Sequence, residues 1–234
     1  MPYRTLLLDA DGTILDFNRS EAEAISHTLQ HYRLPDTEEW IGAYHRINDA
    51  MWKQLERGEI SKTDLRWMRF SHLLEHFHIC GDSYAMADTY IEELSARAYV
   101  LPGAMEACQI LSSVCRLYII TNGIATVQRR RLASVPLNRL IQKNYISEEL
   151  GFEKPDIRYF HAVAEDIPDF DPATTLVVGD SLTSDMAGGI GAGLDTCWIN
   201  PQNHPIPAHL PITFSIPSMK DLPDLIMRNE ANRL

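Results

Sequence analysis

Short apolar runs alternate with amphipathic stretches through most of this 234-residue chain. A short continuous apolar run is typical of a strand buried on both faces, and apolar residues three or four positions apart are typical of a helix. The apolar runs predict strands at residues 4–8, 117–120, 145–147, 175–178 and 196–199. Helical stretches lie at residues 102–113, 124–133, 156–165 and 184–192, and residues 214–216 and 219–228 are expected to add an edge strand and a closing helix. The alternation predicts a doubly wound, mainly parallel α/β sheet with helices on both faces.

The alternation pauses between residues 18 and 99, where the pattern is helical throughout. Apolar residues recur there at helical intervals, for example at Trp40, Tyr44, Ile47 and Met51. Ser61 followed by Asp64 predicts the start of a new helix, because the pair resembles a capping box. We therefore expect an all-helical domain at residues 18–99, inserted after the first strand of an α/β core domain formed by residues 1–17 and 100–234.

The composition is that of an ordinary globular protein, with 45% hydrophobic and 23% charged residues. A formal net charge of −11 disfavours binding to nucleic-acid polymers and to anionic membranes, but not to a small charged ligand. The four cysteines are scattered and form no CxxC pair, which fits a reducing cytoplasm better than a disulfide framework. With neither a signal-peptide pattern nor an apolar run of membrane-spanning length, we expect a cytoplasmic monomer or homodimer.

Two carboxylates stand directly after the first predicted strand, in the segment Asp9-Ala10-Asp11-Gly12-Thr13-Ile14. The carboxyl ends of parallel strands are where open α/β sheets hold their ligands. Two like charges this close stay ionised together only beside a cation, or else one of them takes up a proton. The pair therefore predicts a metal site, an acid–base pair, or both.

The other predicted strands also end in residues suited to phosphate or metal. The second runs into Thr121-Asn122-Gly123, whose hydroxyl, amide and backbone N–H groups can hold phosphate oxygens. Lys154 follows the third strand, and the fourth ends in Gly179-Asp180-Ser181, with Asp185 one helical turn further. One cation and several carboxylates are thus expected at a single edge of the sheet, which indicates phosphoryl-transfer chemistry.

These segments, in this order and spacing, resemble the four motifs of the haloacid dehalogenase superfamily over nearly the whole chain, and the helical insertion resembles its cap domain. The resemblance implies a Rossmann-like core in which Asp9 attacks phosphorus to form an aspartyl-phosphate. It implies that Asp11 protonates the leaving oxygen and then activates the hydrolytic water. Asp9, Asp180 and the backbone carbonyl of Asp11 would be ligands of Mg²⁺, with Mn²⁺ as an alternative.

The remaining motif residues would bind the transferring phosphoryl group and stabilise its charge, namely Thr121, Asn122, Gly123 and Lys154. Asp185 would orient Lys154, with direct contact to the metal as the alternative. These roles are those that the resemblance implies.

Segments outside the four motifs resemble one family within this superfamily. The neighbourhood of Trp52 and the segments 122–132, 146–151 and 189–200 are similar to the noncanonical pyrimidine nucleotidases, which remove the 5′-phosphate from nucleoside monophosphates. We therefore expect a 5′-nucleotidase acting on pyrimidine nucleoside monophosphates. The alternatives are a sugar-phosphate phosphatase or phosphosugar mutase of the same superfamily and, more remotely, a non-enzymatic phospho-acceptor signalling module. Asp11 favours hydrolysis, because the superfamily's ion pumps carry threonine at that position.

Three further patterns have simpler structural interpretations. The segment His72-Leu73-Leu74-Glu75-His76 matches a zinc-protease motif, but the sequence identifies no third ligand. The glycine-rich segment 188–193 resembles a dinucleotide loop but follows a helix, so helix termination and close packing explain it better. The cap contains aromatic residues that could stack on a nucleobase but whose spacing is more typical of a core: Trp40, Tyr44, Trp52 and Trp67.

Overall fold

Six apolar segments form one sheet in the computed structural model, which describes residues 3–231 and, for residues 229–231, the backbone alone. The strands are β1 (Thr5–Asp9), β2 (Arg116–Thr121), β3 (Ile141–Ile146), β4 (Thr175–Gly179), β5 (Asp195–Ile199) and β6 (Phe214–Ile216). Their order in the sheet is β3-β2-β1-β4-β5-β6, and each pairing between these strands is parallel. The predicted doubly wound parallel sheet is therefore confirmed. Residues 1–2 and 232–234 of the predicted core lie outside the described residues.

Ten α-helices accompany the strands in the described part of the chain. They are α1 (Phe17–His31), α2 (Glu38–Glu56), α3 (Lys62–His76), α4 (Ser83–Ser95), α5 (Ala104–Leu111), α6 (Ala125–Ser134), α7 (Ser147–Leu150), α8 (Ile157–Asp166), α9 (Ala187–Gly191) and α10 (Leu222–Ala231). Short 3₁₀ turns at residues 136–140, 172–174 and 219–221 and a π-helical turn at Leu182–Met186 complete the elements.

Different helices cover the two faces of the sheet. Successive residues of a strand point to opposite faces, so neighbouring residues of β1 belong to different cores. Leu6 and Leu8 belong to the core on one face, together with residues of α5, α6 and α10. Leu7 belongs to the core on the other face, with Tyr159 and Val163 of α8. All five residues of β1 are buried, which places this strand at the centre of the sheet and of the core.

The chain forms two compact units, one comprising Asn18–Arg97 and the other the chain through Phe17 together with the chain from Ala98 onward. Ala98 and Tyr99, which the sequence pattern assigns to the helical insertion, thus lie with the sheet. Their position has a clear cause, since the Asp16 N–H donates to the Tyr99 carbonyl at 2.8 Å and Leu15 pairs with Val100 in a β-bridge.

The helical unit contains helices α2 to α4 and most of α1. Ser61 caps α3 as predicted, because its Oγ accepts the Asp64 N–H at 3.1 Å while the Asp64 carboxylate accepts the Ser61 N–H. Trp40 is buried and stacks on Phe77, with ring centroids 3.8 Å apart, so its core interpretation is confirmed. Tyr44 is fully buried as well.

The structure differs from the predicted elements at two places. Strand β3 begins at Ile141 rather than at residue 145, because Gln142, Lys143 and Asn144 lie at the edge of the sheet and need no apolar side chains. The single helix predicted at 184–192 is a π-helical turn followed by α9. Gly188 of α9 allows close packing as expected, since a Cβ there would overlap the Phe160 ring, whereas a Cβ at Gly191 would meet no atom within 4 Å.

Candidate active site

The parallel register brings the carboxyl ends of three strands together. Asp9 at the end of β1 pairs with Ile120, so Thr121 lies one position further along the neighbouring strand. On the other side Leu8 pairs with Val178 of β4, and Asp180 follows that strand. The predicted site residues of β1, β2 and β4 therefore share one edge of the sheet, where open α/β folds hold their ligands.

Lys154 lies in this site with its side chain almost completely buried. Its Nζ donates to Asp9 Oδ1 at 2.6 Å, to Asp185 Oδ1 at 2.6 Å and to the Ile120 carbonyl at 3.0 Å. An ammonium has three donors, so these three acceptors use all of them and fix its position. Burial lowers the pKa of Lys154, but the two carboxylates raise it by more, and the side chain is held charged well above its ordinary range.

Three carboxylates meet around this ammonium. Oxygens of Asp9, Asp180 and Asp185 lie within 4.8 Å of one another. Burial, together with the negative charges of its neighbours, raises the pKa of Asp9 well above its ordinary value despite the opposing effect of Lys154. Asp180 as a whole residue is exposed to solvent. Burial of its carboxyl group and, after it, the negative charge of Asp185 nevertheless raise its pKa to about 7. One ammonium thus leaves the cluster with excess negative charge.

This donor set fits a hard divalent cation. Carboxylate oxygens are the ligands that Mg²⁺ and Mn²⁺ prefer, and the excess charge would be neutralised by such an ion. Asp185 is also held by the protein, since its Oδ1 accepts from Lys154 and its Oδ2 accepts the Ser181 N–H at 3.2 Å. Its predicted contact with Lys154 is therefore present, and the geometry leaves its alternative role as a metal ligand open.

Gly12 allows the loop after β1 to pass directly beside Asp180. Its φ of +81° is a conformation that favours glycine, and a Cβ there would overlap the Asp180 carboxylate. Gly58 has a similar φ of +70°, but a Cβ on it would meet no atom within 4 Å. The two glycines therefore separate the effect of backbone conformation from the effect of close approach.

We expect Gly12→Ala to lower the free energy of unfolding by clearly more than Gly58→Ala does. The backbone strain alone costs about 1–2 kcal/mol at either position, and at Gly12 the displacement of Asp180 is added. Urea denaturation of both variants beside the wild type measures the difference. Equal losses for the two variants would show that the loop tolerates the extra methyl group and that the close approach is unimportant.

Asn122 clamps the backbone of Lys154 from the neighbouring strand end. Its Nδ2 donates to the Lys154 carbonyl at 2.7 Å, and its Oδ1 accepts the Lys154 N–H at 2.9 Å. The structure thus brings Asn122 into the site as predicted, but its amide is engaged by the protein. Its contact with phosphate stays a prediction, as does that of Gly123.

Thr121 is held by both its backbone and its hydroxyl. Its N–H donates to the Tyr159 hydroxyl at 3.1 Å, and its Oγ1 accepts from the Gly123 N–H at 3.1 Å and from Gln128 Nε2 at 2.9 Å. Tyr159 in turn donates to the Tyr145 carbonyl at 2.8 Å. The hydroxyl predicted to contact phosphate is therefore held by two donors, and the backbone of the same residue is held by Tyr159.

Asp11 is held by two side chains to which the sequence analysis assigned no role in the site. Its Oδ1 accepts from Arg131 Nη1 and its Oδ2 accepts from Gln128 Nε2, both at 2.6 Å. Trp198 is a further residue that sequence reasoning missed, and its Nε1 donates to the Asp180 carbonyl at 2.9 Å. The segments that contain these residues were noted only as framework, and three consecutive arginines at 129–131 hide which one is buried.

The zinc-protease pattern of α3 gains no third ligand among the residues that the structure describes. Within the described part of the chain, the residues that bring three ligand atoms together are the three aspartates, and the His72–His76 pair meets no third ligand.

Over residues 3–231, none of the helices combines the length and the apolar character required to cross a bilayer.

Comparison with known proteins places this geometry in a family context. Residues 3–193 match the family described as haloacid dehalogenase-like hydrolase. The pyrimidine 5′-nucleotidase PynA of Streptococcus pneumoniae is 35% identical over 230 residues, which cover 98% of this chain and 97% of PynA. The pyrimidine 5′-nucleotidase YjjG of Escherichia coli is 28% identical over 229 residues, which cover 98% of this chain and 100% of YjjG.

A third relative connects the sequence comparison to a solved structure. The HAD-hydrolase YfnB of Bacillus subtilis is 37% identical over 221 residues, or 94% of each chain. Its crystal structure bound to magnesium matches this structure with a TM-score of 0.92 at 35% identity, covering 97% of this chain and 99% of YfnB. The resemblance that the motifs indicated is therefore confirmed, for the superfamily and for similarity to the pyrimidine nucleotidases.

Proposed function

The chain belongs to the haloacid dehalogenase-like hydrolases, and from that premise we propose that it is a Mg²⁺-dependent phosphomonoester hydrolase acting through Asp9. The observation that carries the proposal is the contact of the buried Lys154 ammonium with Asp9 at 2.6 Å, beside the carboxylate of Asp180. This arrangement supports the proposal, because it brings a candidate nucleophile together with a cation and a set of carboxylate oxygens.

The metal proposal rests on the chemistry of the donor set. Asp9, Asp180 and the backbone carbonyl of Asp11 would hold Mg²⁺, or Mn²⁺ as the alternative, through hard oxygen atoms. When bound, the ion neutralises the repulsion between an anionic phosphate and the carboxylates of the site. The raised pKa values of Asp9 and Asp180 support this assignment, because burial and, after it, the neighbouring carboxylates disfavour their charged forms, which a bound cation would stabilise.

The reaction then follows from the residues of the chain. A carboxylate oxygen of Asp9 forms a bond to phosphorus while the bond from phosphorus to the ester oxygen breaks, and Asp11 gives that oxygen its proton. Water then attacks the aspartyl-phosphate, Asp11 takes up the proton of the water, and Asp9 is released as a carboxylate. Thr121, Asn122, Gly123 and Lys154 bind and stabilise the transferring group, and Asp185 orients Lys154.

The substrate part of the proposal is a pyrimidine nucleoside 5′-monophosphate. It is supported by PynA and YjjG, two pyrimidine 5′-nucleotidases that align over nearly the whole chain. A sugar-phosphate phosphatase or a phosphosugar mutase would use the same core residues, so these remain the competing activities. Membership of a hydrolase family identifies the chain as an enzyme, which sets the signalling module aside.

We expect Mg²⁺-dependent release of phosphate from pyrimidine nucleoside 5′-monophosphates, at least about 10-fold faster than from purine nucleotides or sugar phosphates. A site that hydrogen-bonds one kind of nucleobase discriminates against others by this much or more. The experiment measures inorganic phosphate over such a panel, with Mg²⁺ and with a chelator. Uridine 3′-monophosphate serves as the matched control for the position of the phosphate.

The outcomes of this panel separate the alternatives. Faster release from sugar phosphates would contradict the nucleotidase assignment but keep the phosphatase. Phosphate that moves to another position of the organic product without release would indicate the mutase. Equal rates with Mg²⁺ and with the chelator would contradict the metal assignment.

The remaining expectations belong to the same proposal. Catalysis is assigned to the core at residues 1–17 and 100–234, and the cap at 18–99 is assigned no reacting group. A cytoplasmic location is supported by the cysteines, which form no disulfide within the described residues: Cys80, Cys108, Cys115 and Cys197. The partner is a small phosphate ester rather than a nucleic-acid polymer or a membrane, and the state is a monomer or a homodimer.

A further inference from the structure

One face of α6 carries two buried polar side chains that the proposed reaction does not use. Gln128 and Arg131 are 1% and 0% exposed, and they lie three residues apart, which puts them on the same side of the helix. Burying an amide and a guanidinium is costly unless both find partners. The groups that these two side chains contact are therefore informative.

The first group is the Asp11 carboxylate, which receives one N–H from each residue. Arg131 Nη1 donates to Oδ1 and Gln128 Nε2 donates to Oδ2, both at 2.6 Å. Arg131 Nη1 also donates to Gln128 Oε1 at 3.1 Å, so the two residues are joined to each other. Two donors on two different oxygens fix both the position and the rotation of the carboxylate.

The second group is the Thr121 hydroxyl, which receives Gln128 Nε2 at 2.9 Å and the Gly123 N–H at 3.1 Å. A hydroxyl has two acceptor lone pairs and one proton. Both lone pairs are engaged here, so the proton of Thr121 is left to act as a donor. A donor is what a phosphoryl oxygen requires.

The orientation of the Gln128 amide follows from the same contacts. Arg131 can only donate, so it must face the amide oxygen, and the amide nitrogen is then left to face Asp11 and Thr121. The opposite orientation would place an oxygen against a carboxylate and leave the guanidinium facing an NH₂ group. The network therefore admits one arrangement.

We propose that Gln128 and Arg131 are positioning residues for the reaction, which hold Asp11 toward the leaving oxygen and leave the Thr121 hydroxyl as a donor to the phosphoryl group. The inference rests on the proposed function, because it explains how Asp11 and Thr121 are held in the positions that the proposed reaction requires. The pair joins the loop after β1 to the end of β2 through α6.

The chain offers a matched pair of variants for Arg131. Arg129 lies on the same helix with its side chain 70% exposed and bonded to Glu149. We expect Arg131→Gln to lower kcat about 100-fold, because misplacing a catalytic group by about 1 Å has an effect of this size. Arg129→Gln is expected to keep kcat within about twofold of wild type, and Arg131→Lys, which retains a charged donor, to recover part of the loss.

Gln128 is tested by two replacements of similar size. Gln128→Met removes the hydrogen bonds, whereas Gln128→Glu places an acceptor against Thr121 and turns its proton away from the phosphoryl group. We expect both to lower kcat by about 10- to 100-fold. The inhibition constant of inorganic phosphate is expected to rise about 10-fold more in Gln128→Glu than in Gln128→Met, a split that loss of packing would not produce.

The measurements are kcat, KM and the phosphate inhibition constant, with circular dichroism to confirm folding. If Arg131→Gln does not fold, Arg131→Lys and the Gln128 pair test the same contacts. The inference would be overturned if the wild type is active and the folded Arg131 and Gln128 variants have the same kcat as Arg129→Gln. The proposed function would then still stand. A wild type that releases phosphate from no ester would instead overturn the proposed function, and the inference with it.

Discussion

Asp9→Asn is expected to reduce phosphate release by at least about 10³-fold, while the protein stays folded. The loss follows because the amide is not a nucleophile, and removing the nucleophile of a covalent mechanism has effects of this size or larger. The substitution preserves the shape of the side chain. It also leaves Lys154 with its 2.6 Å contact to Asp185, so the buried ammonium keeps one carboxylate partner.

The stability of this variant separates lost chemistry from lost structure. Burial raises the pKa of Asp9 in the folded protein, which means that the ionised carboxylate destabilises the fold as the pH rises above the ordinary value. A neutral amide removes that penalty. In the absence of Mg²⁺ we therefore expect the Tm of Asp9→Asn at pH 8 to be no lower than that of the wild type.

Phosphate release, calorimetry and intact-protein mass after reaction with substrate provide the readouts. Asp224→Asn is the matched control, because Asp224 is an exposed residue of α10 whose side chain contacts Arg228. It is expected to keep wild-type turnover. Turnover of Asp9→Asn near the wild-type level would refute the assignment of the nucleophile.

Lys154→Met is expected to destabilise the metal-free protein by about 3–5 kcal/mol, as breaking a buried ion pair from one side does. The variant leaves the carboxylates of Asp9, Asp180 and Asp185 close together without the ammonium between them. Activity is expected to fall as well, because the positive charge is proposed to stabilise the transferring phosphoryl group.

The destabilisation by Lys154→Met should depend on pH in a defined direction. The pKa of Asp180 in the folded protein is raised to about 7, and loss of the ammonium raises it further. An acid with a raised folded pKa contributes most stability below its unfolded value of 3.8 and loses it as the pH rises. The deficit of the variant should therefore be larger at pH 8 than at pH 5.

Urea denaturation at both pH values without metal measures this deficit. Lys143→Met is the matched control, because Lys143 makes a 2.8 Å ion pair with Asp166 on the surface. Exposed pairs contribute little, so a small change that does not grow with pH is expected. If Lys154→Met lost no more stability than Lys143→Met at pH 8, the ammonium would not be balancing the carboxylates.

The central strands and their chemistry could be predicted from the sequence because the signals there are local. The run Leu6-Leu7-Leu8 is apolar because β1 is buried on both faces, and Asp9 follows it directly. Strand β3 gave a weaker signal, since its residues 142–144 lie at the edge of the sheet and are polar. Periodicity reports burial, so it fails where a strand is exposed.

The contacts of Asp11 could not be predicted, because they depend on which arginine of a run turns inward. Arg129, Arg130 and Arg131 are identical in sequence terms, yet Arg131 is fully buried while Arg129 is exposed. Which arginine is buried depends on the rotation of α6 against the sheet and on the position of the Asp11 carboxylate. Tertiary packing of this kind has no signature in a single chain.

The central position of β1 has a consequence for the order in which the protein is made. Residues 5–9 leave the ribosome well before their partners in the sheet, which begin only at Arg116 and Thr175. At typical rates of synthesis the first partner follows after on the order of ten seconds. The strand that carries the proposed nucleophile is thus synthesised before either of its neighbours in the sheet, and both of its edges lack those partners while the helical unit emerges. Its apolar residues are a natural binding segment for a chaperone during that interval.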